Sequence, residues 1–176
     1  MVVDAEQFKE GMRHLTASVT ILTLGFPDGR RFGMTATAVC SVSAEPPILL
    51  CCVNRNANSH PYFLEADAFG VNVLASEDEE LAKRFASGLP HPERFSAGEW
   101  RETASGVPML TTAAAGFLCR KKDAVEMGEH TVFFGEVMEI ATRQNSTAPL
   151  LYGHGRFGKF HHNAQPAPGN APTKRD

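Results

Sequence analysis

What this chain of 176 residues lacks narrows its chemistry before any motif is read. No apolar run approaches the ~18 residues that a membrane-spanning helix needs. The N-terminus also has no charged region followed by a hydrophobic core, so neither a membrane span nor a signal peptide is expected, and the chain reads as cytoplasmic. Basic residues are not in excess. A net charge of −3 leaves no electrostatic footprint for nucleic acid or an anionic membrane. Cysteine is sparse, and Cys40, Cys51, Cys52 and Cys119 show no C-x-x-C spacing. Three of them fall in expected strands, where a buried free thiol is the usual outcome. Cys51 and Cys52 are neighbours on a strand and point to opposite faces, which argues against a vicinal disulfide or a shared metal site.

Catalytic signatures are absent as well. The seven histidines form no H-x-x-x-H or Cys/His cluster, so no metal is expected. There is no G-x-S-x-G elbow, recognisable triad or paired-carboxylate signature. Gly153 to Gly158 matches G-x-G-x-x-G in form, but that fingerprint needs a helix after it and an acidic residue about 20 positions on. Only 18 residues follow Gly158, and they are rich in proline. A nicotinamide cofactor, if used, must bind without a Rossmann domain. Asn145-Ser146-Thr147 matches a glycosylation acceptor, which carries no meaning without a secretory signal.

What is present suits a single globular domain over residues 1–160, followed by a proline-rich tail over 161–176 that cannot bury enough apolar area to offset its own ordering entropy. Asp4 and Gln7 form a capping-box pair ahead of a short helix with Phe8, Met12 and Leu15 on one face. Ser18–Leu24 reads as a strand, turned at Pro27-Asp28-Gly29 into another that starts near Phe32. The central stretch is Gly33 to Asn54, GMTATAVCSVSAEPPILLCCVN, two strands around a Pro-Pro corner. Its small hydroxylated residues Thr35, Thr37, Ser41 and Ser43 would let backbone groups approach the edge of a flat, polar-edged ligand, although Thr and Ala also fill ordinary half-buried strands.

Ser59 and Pro61 open a short helix, and Ala68–Leu74 reads as a strand. Ser76 and Glu79 form a second capping-box pair before a helix carrying Leu81, Arg84 and Phe85. The segment 87–106 reads as a loop with Phe95 and Trp100 as aromatic anchors, long enough for a lid or a partner contact. Strands resume at Met109–Thr112, Ala115–Arg120, Thr131–Ile140 and Leu150–Phe157. Strands outnumber helices and come as hairpins, which favours an antiparallel barrel with peripheral helices over a doubly wound sheet.

The block GMTATAVCSVSAEPPILLCCVNRNANSH resembles the signature of the flavin reductase family with the FMN-binding split-barrel fold. The likeness continues through GEHTVFFGEV (Gly128–Val137) and PLLYGHGRFGKF (Pro149–Phe160). It implies a mainly β, Greek-key antiparallel split barrel, a homodimer, FMN or FAD together with NADH or NADPH, and a separate flavin-dependent monooxygenase as partner. It also implies that the flavin is held by Met34, Thr35, Ala36 and Thr37, by Ser41, Val42 and Ser43, and by Cys52 and Asn54. The flavin phosphate would lie between Asn58-Ser59, with His60 after them, and Lys83, Arg84 and Phe85. By pattern alone Lys83 and Arg84 are a solvated helix face. His130 would stand beside the nicotinamide as the catalytic position, and His154 and Phe157 near the flavin or nicotinamide, although a lone His is usually structural and Phe157 is most simply core. The expected activity is hydride transfer from nicotinamide to flavin. The alternatives are a flavoenzyme of this fold reducing another acceptor, such as a cobalt corrinoid, a flavin-binding module without turnover, and a structural protein that binds no flavin.

Overall fold

The computed structural model describes residues 3–143 and 148–160; the expected tail over 161–176 and the Asn145-Ser146-Thr147 match lie outside them. In chain order the elements are α1 (Ala5–Arg13), β1 (Ala17–Ser18), β2 (Thr20–Gly25), β3 (Arg31–Ala36), β4 (Val39–Ala44), β5 (Pro47–Asn54), α2 (His60–Glu65) and β6 (Ala68–Val73). They continue as α3 (Glu79–Ala86), α4 (His91–Arg94), β7 (Trp100–Glu102), β8 (Pro108–Leu110), β9 (Ala115–Met127), β10 (His130–Thr142), β11 (Leu150–Gly153) and β12 (Arg156–Lys159).

Seven strands form one antiparallel sheet in the order β3-β2-β6-β9-β10-β5-β4. Within it β6, β9 and β10 are successive neighbours, and β5 lies on the far side of β10. That is the Greek-key arrangement the resemblance implies. The two edge strands β3 and β4 are consecutive in sequence and joined only by Thr37 and Ala38. Three Cα steps span at most about 11 Å, so the sheet must curl until its edges nearly meet. They do not pair with each other. The result is a barrel with one open seam, and the small residues Thr35 to Ala38 run along that seam.

Strand β2 shows why the chain folds around it. Five of its six residues are buried, because alternate side chains enter different cores. Leu22 and Leu24 join the barrel interior with Val53, Phe63, Phe69 and Phe133, whereas Ile21 packs outside it with Leu74, Phe85, Leu110 and Leu150. Helix α3 closes the outer core against β3. That approach requires Gly33, where an added Cβ would come within 2.7 Å of Phe85 Cε1 and 3.2 Å of the Leu22 carbonyl. Helix α2 is anchored by Lys121, whose Nζ donates to the Phe63 and Leu64 carbonyls at 3.1 and 2.7 Å, a cation at a helix C-terminus.

Several local expectations hold and several do not. The Asp4/Gln7 capping box is present, with Gln7 N–H donating to Asp4 Oδ1 at 2.8 Å. The second pair fails. Helix α3 begins at Glu79 behind Asp78, and Ser76 Oγ turns to Glu77 instead. Ser59 precedes α2 without a side-chain cap bond. The expected loop over 87–106 contains α4 and β7, and its anchors Phe95 and Trp100 pack on Phe85 with ring centroids 5.0 and 5.5 Å away. Strand β9 runs on to Met127 rather than stopping near Arg120, and the expected last strand is a hairpin turned at His154-Gly155. The apolar face of α1 is exposed, with Phe8 and Met12 uncovered, and the helix ends at Arg13, leaving Leu15 beyond it and exposed as well.

Candidate active site

The open seam leads into a cavity of about 550 Å³. Its wall from β3 and the seam is Met34, Thr35, Ala36, Thr37 and Ala38; β5 adds Cys52 and Asn54, and β10 adds His130. The opposite wall is Lys83, Ala86 and Ser87 from α3 and its end, and Tyr152 and Phe157 from the β11-β12 hairpin. His130 and Asn54 face each other in the β10-β5 ladder, so adjacent strands set their separation. Tyr152 and Phe157 meet edge to face at 5.2 Å. A second cavity of about 350 Å³ shares Met34, Thr35, Ala86 and Ser87 with the first and extends to Asn56, Asn58, Ser59, Phe85 and Arg94. The two form one elongated groove, broad and apolar at one end, narrower and lined with amides and hydroxyls at the other.

The hydrogen-bonding state of the seam bears on what it can hold. The Ala36 carbonyl accepts from Thr20 Oγ1 at 2.7 Å, the Thr37 carbonyl from Val39 N–H at 3.1 Å, and the Ala38 carbonyl from Cys52 N–H at 3.0 Å. The Thr35 hydroxyl donates to the Ala82 carbonyl at 2.6 Å and so ties β3 to α3. Among the described residues, neither Thr37 N–H nor Ala38 N–H has a protein acceptor, and both residues are exposed. Two adjacent peptide donors in a concave apolar groove suit a ring with carbonyl oxygens along one edge.

Charge is unevenly placed. Lys83 bonds Glu79 and Glu80 at 2.9 and 2.7 Å, which raises its pKa and spends much of its charge inside its own helix. Cys52 is pushed up by partial burial, with a further rise from nearby Cys40, so it presents a neutral thiol to the groove. Arg94 is only 5% exposed. Its Nε donates to the Leu89 carbonyl at 2.9 Å, Nη1 to those of Gly33 and Phe85 at 2.8 and 3.2 Å, and Nη2 to that of Ser87 at 2.8 Å. Beside it, His91 is half-buried against Phe32 and Tyr62, with neither ring nitrogen hydrogen-bonded among the described residues. Burial first, and the Arg94 charge second, lower its pKa, while the Gly33 backbone, outside hydrogen-bond geometry, only partly opposes them.

Of the residues expected from sequence, the groove gathers Met34, Thr35, Ala36, Thr37, Cys52, Asn54, Lys83, His130 and Phe157 at its broad end, and Asn58, Ser59 and Phe85 at its narrow end. It does not gather six others. Ser41, Val42 and Ser43 lie along β4 outside both cavities, with Ser41 and Val42 exposed. His60 turns inward, where its Nε2 meets Thr131 Oγ1 at 2.8 Å in a buried contact. Arg84 reaches away to the Glu93 carbonyl and Ser96 Oγ, and His154 sits on the turn of the last hairpin against the His14 ring. Sequence reasoning missed Tyr152, Ser87 and Arg94. Ser87 and Arg94 lay in a segment read as loop, and Tyr152 in a strand with no distinguishing pattern.

Known proteins are similar to this chain through most of their length. The chain is 44% identical over 156 residues to the FMN reductase (NADH) RutF of Variovorax paradoxus (strain S110), covering 89% of this chain and 86% of the relative. It superposes with a TM-score of 0.84 and 30% identity on the Streptomyces globisporus C-1027 NADH:FAD oxidoreductase SgcE6 in complex with NAD and FAD fragments, covering 94% of this chain and 99% of that one. BorF, the flavin reductase component of a bacterial two-component tryptophan halogenase, matches with a TM-score of 0.82 and 29% identity, over 91% of this chain and 100% of its own. The flavin reductase like domain matches residues 12–161, nearly the whole described barrel. The chain belongs to the flavin reductase like domain family.

Proposed function

We propose that this protein is an NADH-dependent flavin reductase that takes FMN into the barrel seam, reduces it with NADH and passes the reduced flavin to a separate flavin-dependent oxygenase. The observation that carries this reading is the pair of free N–H donors on Thr37 and Ala38 at the mouth of an apolar groove whose far end is polar. The choice of FMN and NADH is supported by the names of the curated relatives, and an oxygenase partner by that of BorF.

When bound, the isoalloxazine supplies the acceptor for the nicotinamide hydride; the protein binds, orients and tunes it. Thr37 and Ala38 N–H groups would donate to the polar edge of the bound ring, where such donors favour negative charge. The small residues from Thr35 to Ala38 let the backbone come close enough to do so. Asn58 and Ser59 receive the phosphate end. His130, exposed at the start of β10, positions the nicotinamide, and Tyr152 with Phe157 screens the groove from water on the opposite side. Hydride transfer needs no general base, and the rate gain rests on holding the two rings in contact.

Homodimerisation is part of this proposal. Its support is apolar surface left uncovered: Phe8 on α1 and Leu15 just past its end are 62% and 63% exposed, and Met138 and Ile140 on β10 are 56% and 58% exposed. A cytoplasmic setting, where NADH is available, completes it. Steady-state oxidation of NADH tests the function. Turnover is expected with FMN added alone, and no flavin-dependent consumption of NADH would refute the reading. Turnover only when a corrinoid is also supplied would favour the rival acceptor.

A further inference from the structure

The narrow end of the groove holds a cation with no anion. Arg94 is buried, and no carboxylate pairs with it among the described residues. A buried guanidinium normally carries a carboxylate or phosphate partner, because carbonyl dipoles alone offset its desolvation only in part. Four of its five N–H groups are taken by carbonyls, leaving one on Nη2, and the residue lines the same cavity as Asn58, Ser59 and Ser87. Those four carbonyls belong to β3, to the end of α3 and to the segment after it. The guanidinium therefore fixes the spacing of the two groove walls while presenting its charge between them.

We infer that Arg94 is the cation that receives the flavin's terminal phosphate, and that it discriminates phosphorylated flavins from riboflavin while clasping the two walls of the groove. The inference rests on the flavin reductase reading and deepens it. It replaces Arg84, whose guanidinium is spent on Glu93 and Ser96 at the surface. Phosphate would complete the pair that the fold leaves open, using the remaining Nη2 N–H, the Ser59 and Ser87 hydroxyls and the Asn58 amide. A charge-assisted contact of this kind is stronger than a neutral one and falls away when either partner is removed.

The test is binding rather than turnover. Flavin fluorescence titrations on the purified protein compare FMN with riboflavin, which has the same ring and no phosphate. In the native protein FMN should bind at least about tenfold tighter than riboflavin, and inorganic phosphate should compete with FMN but not with riboflavin. Arg94→Met should weaken both ligands through the lost clasp but FMN by more, bringing FMN to within about threefold of riboflavin, with Arg94→Lys between the two. Arg84→Ala should leave both ligands unchanged. Equal native affinities for FMN and riboflavin would overturn the inference without any variant, which covers the case of Arg94→Met failing to fold. An equal loss for both ligands in Arg94→Met would overturn it in favour of a purely architectural role. Binding of riboflavin without preference for FMN would sink this inference alone; binding of neither flavin would sink the flavin reductase reading as well.

Discussion

His130 has no ion pair and no hydrogen bond through its ring among the described residues, and it lies across the β10-β5 ladder from Asn54 at the groove's broad end. A side chain placed by a rigid strand yet free of structural duties is suited to holding a second substrate. His130→Ala should therefore raise the KM for NADH by about tenfold while moving the FMN dissociation constant by less than about threefold, because it removes a contact made to one substrate only. A variant with native NADH kinetics would remove His130 from the site. The same reasoning separates His130 from His60 and His154, which looked alike in sequence. His60 is buried on Thr131 and follows Ser59 into the barrel core, and His154 adopts a left-handed backbone with φ of 51° on a two-residue turn. Local sequence carries no sign of either outcome, since both depend on which way a later segment packs.

At the level of elements, the groove depends on α3 lying flat on β3. Gly33 permits that contact, Thr35 and Arg94 bond across it, and Phe85 fills it with Phe95 and Trp100 behind. Phe85 is packed too tightly to swing aside. Gly33→Ala should therefore destabilise the protein by about 1–3 kcal/mol in denaturant unfolding and weaken FMN binding. Gly88→Ala, whose added methyl meets nothing within 4 Å, serves as the control and should unfold almost as the native protein does. A Gly33→Ala protein as stable as that control would contradict the packing account. Element boundaries were legible where patterns were local: the Asp4 cap, the hairpin at Pro27-Asp28-Gly29 and the corner at Glu45-Pro46-Pro47 all hold. They were not legible in the second half of β9. Its residues Lys121 to Met127 are mostly exposed on both faces, so no apolar alternation marks them, and pairing with β10 alone makes them a strand. In the same way, four residues from His91 to Arg94 are too few to leave a helical period, and the cation of the narrow cavity went unnoticed there.

Across the whole molecule, the decisive feature is topological. A seven-stranded sheet whose edges are consecutive strands must close with a seam, and the Thr-Ala run that links them is then exposed and, among the described residues, without acceptors for its N–H groups. The three ordered blocks in the sequence carried the fold and the broad end of the groove, because the fold brings those three separated parts of the chain to one cavity. On the far wall Phe157 was expected from the third block, whereas Tyr152 came only from closure, which brings it against Met34 to Ala38, more than a hundred positions away. The most direct check is a crystal structure of the protein with FMN. The ring should lie in the seam with its polar edge within about 3.2 Å of the Thr37 or Ala38 nitrogen, and with its phosphate at the Asn58-Ser59 end. An isoalloxazine bound elsewhere, or a seam filled by neighbouring side chains when FMN is present, would contradict the account.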